Sequence, residues 1–411
     1  MALHEEQLEA LGERLVPLFQ EFESAVISDI VRRLKKTGTL TESAEQMARA
    51  LRDKGFSPAS IRRQVMKHIK ADKALQKVID ENTIKAKAEI LKHIEELRQA
   101  AANEAHAVVA EASEFAFNND LNEWKGKSKP IKGSAFEGLV KAMRKRADDE
   151  ILNLTKSIGF RFPNGQMVHY QQAYTHALNN ALIKISSGAF SYQRALEDAV
   201  RDLAQSGVRV VNFESGVTRQ VDTAVRNAML TTSAQLAGQI TMQNMQQGDT
   251  NLVEVSKHWG ARTGKGHGNH AAWQGGIYCI AGTDGVHRNL KEATGYPDDP
   301  TGLLGYHCRH TFYLFWEGIS KPTEWPDEPE PVEINGKKYT YYEITQAQRR
   351  MERDIRALKR EEFGLREAGL NAKANETRSR YNGMIREYND FSEAAGISPK
   401  QARLRIATIS K

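Results

Sequence analysis

The 411-residue chain carries 58 Lys+Arg against 52 Asp+Glu, is 40% hydrophobic and 27% charged, and holds two cysteines. No window reaches the roughly 18 apolar residues of a membrane span, two thiols cannot build a disulfide framework, and the N-terminus MALHEEQLEALGERL lacks the basic-then-apolar order of a secretory signal. The length leaves room for two or three domains, and the charge content suits a helix-rich, elongated protein of a cell interior better than one compact globule.

Leu8, Leu11, Leu15, Phe19, Phe22, Val26, Ile30 and Leu34 recur at spacings of three and four, which predicts one long amphipathic helix. Lys35 and Lys36 favour its C-terminal end, and Gly38 can supply a left-handed stop. Thr41 with Glu42 and Glu45 opens a short helix that ends near Gly55. Ser57-Pro58 then combines an N-cap with proline at the first helical position. Ile61, Val65, Ile69, Leu75, Val78, Ile84, Leu91, Ile94 and Leu97 keep an apolar face through a segment that turns alanine-rich, a helical hairpin or an extended arm. NNDLNEWKGKSKPIKGS (118–134) breaks the pattern, so residues 1–125 read as a long-helix region. Helical patterning resumes at 135–157 and at 166–186, on either side of FPNG, and again from about Ser191 to Gln205. After the β-like GVRVVNFESG it runs once more through 218–246, making 126–250 a second helical region.

LVEVSKHW alternates apolar and polar side chains as a half-buried strand does. From there the chain is rich in Gly, Pro, His and aromatic residues, which defines a small α+β module over 251–331 that ends in the Pro-rich exit KPTEWPDEPEPVE. Asn335-Gly336 between β-like flanks signals a hairpin. Charged helix follows over 344–395 with a turn near Gly369, and ISPKQARLRIATISK closes as a capped short helix; 332–411 is thus a β-hairpin and a basic helical tail. The fold class is mainly α. Residues 344–411 hold 15 basic and 9 acidic side chains, an excess equal to the net +6 of the whole chain. Arg349, Arg350, Arg353, Arg356, Lys359 and Arg360 are the candidates to meet DNA phosphates or an acidic partner, set against a plain solvated face.

Six of the twelve histidines (His258, His267, His270, His287, His307, His310) and both cysteines, Cys279 and Cys308, lie between 258 and 310. Tetrahedral zinc takes imidazole and thiolate, and His267-x-x-His270 with Cys308-x-His310 is the best four-ligand set. That spacing is looser than a zinc knuckle's, and hydrogen-bonded core histidines beside a buried thiol account for the same residues. A thiol nucleophile at Cys308 would need a distant histidine base, and no thiol-hydrolase signature surrounds it. The loop GARTGKGHG offers Arg262 and Lys265, but no Ser or Thr follows the lysine as in a phosphate loop. Asp284, Asp298 and Asp299 make no acid pattern for a metal pair. Trp259, Trp273, Phe312, Tyr313, Phe315 and Trp316 can instead lock a small loop-rich fold around the histidines and thiol. Three readings stand: an architectural protein without catalytic residues; a zinc- or thiol-dependent hydrolase or phosphate-binding transferase centred on 258–310; and a DNA-binding protein acting through its basic tail.

The order Ala261-Arg262, His270-Ala271-Ala272-Trp273-Gln274-Gly275, Tyr296-Pro297 and Gly305-x-x-Cys308-Arg309-His310, followed by an aromatic strand and Pro322, resembles the tailed-phage minor capsid protein 2 family, related to the MuF-like head-morphogenesis proteins. The likeness is densest over about 250–325, and LVPLFQEFESAVISDIVRRL resembles that family's start. The resemblance implies a low-copy structural protein of the phage head, bound to the portal protein or major capsid protein, inside the capsid near packaged double-stranded DNA. Its role would be in head morphogenesis, DNA packaging or genome delivery, with several copies per virion, assembly in the host cytoplasm and no membrane partner. MuF-like relatives commonly have Cys-Arg-Cys where this chain has Cys308-Arg309-His310, an exchange that keeps a zinc ligand and weakens a disulfide. Arg262, His270, Trp273, Gly275, Cys308, Arg309 and His310 are the residues on which the module would depend.

Overall fold

The computed structural model describes residues 5–38, 41–211 and 217–407. Parts of GVRVVNFESG and of the C-terminal ISPKQARLRIATISK lie outside the described residues. In chain order the elements are α1 (Glu5–Glu13), α2 (Val16–Gly38), α3 (Glu42–Asp53), α4 (Pro58–Ala71), α5 (Lys73–Asn122) and α6 (Ser134–Lys156). Then come β1 (Ile158–Arg161), β2 (Met167–His169), α7 (Ala173–Ser186), α8 (Tyr192–Ser206), β3 (Arg209–Val211), β4 (Thr218–Gln220) and α9 (Val221–Met245). The next stretch holds β5 (Leu252–Val255), β6 (Ile277–Cys279), β7 (Arg288–Asn289), α10 (Leu290–Thr294) and β8 (Phe312–Phe315). The hairpin β9 (Val332–Ile334) and β10 (Lys337–Tyr339) leads to α11 (Tyr341–Glu367) and α12 (Asn371–Ala394). The chain is mainly α with small β sheets. No helix among the described residues is long and apolar enough to cross a membrane.

The chain divides into two compact units, each drawn from three separated stretches: Met1–Pro17, Gln99–Asn153 and Asp222–Ala347 in the first, Leu18–Arg98, Leu154–Val221 and Gln348–Lys411 in the second. In the first unit a four-stranded sheet of order β7-β6-β5-β8 is antiparallel except for the parallel β6–β7 pair. Because β5 is central and covered on both faces, all four of its side chains are buried, which overturns the half-buried alternation expected from LVEV. Buried Glu254 is satisfied by the Thr323 amide at 2.9 Å and the Trp325 indole N–H at 3.3 Å, so the Pro-rich exit is pinned to the sheet. Helix α9 carries the module: a Cβ on Gly238 would lie 2.4 Å from Leu304 Cδ1, and Gln235 donates to the Leu304 carbonyl at 2.9 Å. Trp316 meets Trp124 edge-on at 5.3 Å. Glu13 on α1 binds Arg226 through Oε1 at 2.7 Å and Oε2 at 3.0 Å.

The second unit holds an antiparallel sheet of order β2-β1-β3-β4. Its β1–β2 hairpin occupies the FPNG region where the sequence suggested only a turn between helices, and β4 takes the first residues of the helix expected over 218–246. The N-terminal apolar stripe is buried throughout, from Leu8 to Leu34. It is nonetheless cut into α1 and α2, because Pro17 is tolerated only in a first helical turn. Gly38 is not left-handed; it is required because an added Cβ would sit 1.6 Å from the Tyr192 ring, whose hydroxyl donates to the Leu34 carbonyl at 2.9 Å. On α5 the apolar reading is corrected at Ile84 (70% exposed) and Leu91, which face outward, while Asn82, Ala86 and Ile90 are buried. Asn82 belongs to the inner stripe because Thr37 accepts its amide at 3.3 Å and is itself bonded to the Tyr174 hydroxyl at 2.9 Å. In the tail, α11 and α12 form a hairpin around Ile355, Tyr388 and Leu404, turned at Gly369 (φ +79°).

Candidate functional site

Among the described residues, His270, Cys308 and His310 form a group whose potential ligand atoms all lie within 4.8 Å of one another, and all three side chains are buried. His270 opens the 3₁₀ turn His270–Ala272, and Cys308 and His310 lie just before β8. The loop that delivers Cys308 is tightly wound: Leu304 and His307 adopt positive φ of 58° and 59°, a cost that surrounding structure must hold in place. Gly305 permits this, since a Cβ there would fall 2.2 Å from the Pro300 carbonyl oxygen. At Gly275, φ is +72° and Trp325 and Lys257 close over the backbone.

Hydrogen bonds fix the imidazole tautomers. His270 Nε2 faces the Thr301 carbonyl at 2.9 Å and therefore carries the proton. His310 Nε2 faces Gln274 Oε1 at 3.0 Å; that oxygen also accepts the His258 amide at 3.1 Å, which sets the side-chain amide's orientation. Nδ1 is thus the basic nitrogen in both rings. Cys308 Sγ lies 3.5 Å from His310 Nδ1. Burial pushes the Cys308 thiol up to about 11 and holds both imidazoles below their ordinary range, His310 well below it. The group is therefore a neutral thiol and two neutral rings, walled by Trp273, whose ring lies 4.6 Å from His270 and 4.8 Å from His310. His258 stacks on His310 at 4.2 Å.

The other candidates divide. His267 is not brought into the group: its Nδ1 pairs with Asp299 at 2.8 Å and its Nε2 faces the Glu292 carbonyl at 3.3 Å, so both ring nitrogens already meet oxygens. His287 pairs with Asp284 at 2.7 Å. Arg262 donates to the Tyr306 carbonyl at 2.7 Å, and Arg309 pairs with Glu9 on α1 at 3.7 Å, so each ties the loop to a neighbouring segment. Cys279 is buried on β6 against Leu252 and Phe315, and both thiols are free. Of the tail residues proposed to meet phosphate, Arg356 and Arg360 are buried and are withdrawn: Arg356 donates to the Arg403 carbonyl at 2.7 Å, and Arg360 donates to the Ala204 carbonyl at 3.0 Å and pairs with Glu23 at 3.4 Å. Lys359 is half-buried and donates to the Leu404 carbonyl at 2.8 Å. Arg350 and Arg353 are exposed, and Arg349 is half-buried. His258 was counted in the histidine cluster and Gln274 in the family-like motif, but neither was among the candidate site residues read from sequence. The signal for Gln274 was its place four residues after His270, one 3₁₀ turn and a bend away.

A family model described as "Phage minor capsid protein 2" matches residues 3–392. A curated relative from Lactococcus phage LL-H, called "Structural protein", is 25% identical over 233 residues, covering 54% of this chain and 59% of that relative. The matched region thus spans less than two thirds of that relative's length. No solved structure gives a significant match.

Proposed function

We propose, for a chain that belongs to the phage minor capsid protein 2 family, that its structural role in the phage head is exercised at the portal vertex or the inner capsid wall, during head morphogenesis, DNA packaging or genome delivery. The observation that supports this reading is the family match over nearly the whole chain, from 3 to 392. The buried Cys308 supports it from the other side. A thiol nucleophile needs a lowered pKa and access to substrate, whereas this one is raised to about 11 and 4% exposed. The thiol-hydrolase reading is accordingly the weaker.

The portal protein and major capsid protein are the partners proposed, and packaged double-stranded DNA is a third, reached through Arg350 and Arg353 on the outer face of α11. Co-sedimentation of the purified chain with portal rings or assembled heads tests the first part; recovery in neither fraction would overturn it. For DNA, each phosphate contact contributes about −0.9 to the slope of log affinity against log salt. Replacing Arg350 and Arg353 by Gln should therefore flatten that slope by about 2. An unchanged slope would remove α11 from the DNA-facing surface.

A further inference from the structure

We propose that His270, Cys308 and His310 form a zinc site, a two-imidazole, one-thiolate set that ties the loop after β5 to the lead-in of β8. The geometry of the pair Cys308–His310 is the first support. With Zn–S near 2.3 Å and Zn–N near 2.1 Å, two ligands of a tetrahedral ion stand roughly 3.6 Å apart. The Sγ–Nδ1 separation is 3.5 Å. The remaining separations are at most 4.8 Å, about 1 Å wider than tetrahedral ligands require.

The second support is the arrangement behind the ligands. A metal-bound imidazole almost always gives its other N–H to a protein oxygen, which fixes the ring and raises its basicity. Both rings do this, through the Thr301 carbonyl and Gln274 Oε1, and both present an unprotonated Nδ1. A softer ligand completes the set. Thiolate with imidazole selects zinc over magnesium or calcium, which take oxygen ligands. Binding replaces the thiol proton, which leaves to solvent as the Zn–S bond forms, and the ion supplies the charge that burial otherwise denies to the thiolate. The other cations facing the site already have partners: Arg262 holds the Tyr306 carbonyl and Arg309 holds Glu9. His258 stays stacked on His310, its Nδ1 engaged with the Trp259 carbonyl at 3.0 Å.

The test uses the full chain without a histidine tag, purified from zinc-supplemented cells. Elemental analysis should find close to one zinc per chain in the wild type and in His267→Gln, and less than a tenth of that in Cys308→Ala. Cobalt(II) added to metal-stripped protein should give the near-ultraviolet thiolate-to-metal band and the intense visible bands of a tetrahedral ion, the former lost in Cys308→Ala. Should Cys308→Ala fail to fold, the wild type decides alone: a thiolate–cobalt band supports the site, and its absence overturns it. Less than a tenth of an equivalent of zinc in the wild type, or a cobalt spectrum unchanged by Cys308→Ala in folded protein, also overturns it.

Discussion

Replacing Asp120 by Asn should remove a pH-dependent weakness from the first unit. Asp120 on α5 is 3% exposed and accepts hydrogen bonds from Thr241 Oγ1 at 3.2 Å and Asn244 Nδ2 at 2.9 Å, both on α9. Burial raises its carboxyl from 3.8 to about 6 against the pull of those two donors. Between these values the folded chain holds a proton that the unfolded chain has released. The stabilisation is therefore complete below about pH 4 and is lost as pH rises through about 6. Two pH intervals at 1.36 kcal/mol each give a loss on the order of 3 kcal/mol by pH 7.5. An asparagine keeps the shape of the neutral acid: its carbonyl accepts from Asn244, and the Thr241 hydroxyl can turn to accept from its amide. All five tryptophans lie in this unit, so urea denaturation followed by tryptophan fluorescence reports its unfolding. The stability difference between Asp120→Asn and wild type should grow from near zero at pH 4 to about 3 kcal/mol in favour of the variant at pH 7.5. A difference constant within about 0.5 kcal/mol across that range would refute the assignment.

Gly38→Ala should cost about 1–3 kcal/mol by driving the Tyr192 ring off its seat and breaking its bond to the Leu34 carbonyl, read as a lower thermal midpoint of the far-ultraviolet signal. Gly336→Ala, in the open β9–β10 turn with φ +76° and nothing within 4 Å, should lose only the left-handed backbone penalty, about 1–2 kcal/mol in urea denaturation. Arg360→Ala should lose about 3–5 kcal/mol, because Glu23 is left buried without its guanidinium. The double change Glu23→Gln with Arg360→Met should recover most of it in the same denaturation series; recovery of none would mean that Arg360 acts through packing alone.

The sequence disclosed most of the helices because each buries a face at spacings of three and four, and that period is set by helix geometry alone. It also disclosed discrete local devices: the Ser57 cap, whose side chain accepts the Ser60 amide at 3.3 Å, and the Asn335-Gly336 turn, with φ of 52° and 76°. What stayed hidden depends on contacts between distant residues. Asn82 has no apolar side chain to mark it, and it joins the inner stripe through Thr37, which is itself bonded to Tyr174. The β1–β2 hairpin was hidden because Ile158–Arg161 is only four residues long, too short to separate strand from helix by period. At the candidate site, the cluster of histidines was visible, but sequence spacing could not tell His267, which Asp299 claims, from His270, which turns inward. In the basic tail the limit is related: charge counts treat every arginine as exposed, whereas Arg356 and Arg360 are buried and donate to the Arg403 and Ala204 carbonyls.

Those buried charges share one property, which bears on how the chain finds its fold. Each unit is assembled from three stretches of the chain, and its helices bury aliphatic and alanine side chains. Apolar burial discriminates poorly between such helices, since a helix moved by one turn still buries leucine and alanine. The polar pairs do discriminate. Glu13 meets Arg226 across 213 residues, Glu23 meets Arg360 across 337, and Asp120 meets Asn244 across 124. Of these, Glu23–Arg360 is a buried ion pair, which contributes little net stability but, misaligned, leaves a charge without a partner at a cost of several kcal/mol. This pair therefore acts mainly by penalising wrong registers, the property that a chain with interleaved units needs. The Glu23→Gln, Arg360→Met variant separates the two effects: if register is what the pair supplies, the variant should regain equilibrium stability while refolding with more misfolded species than the wild type.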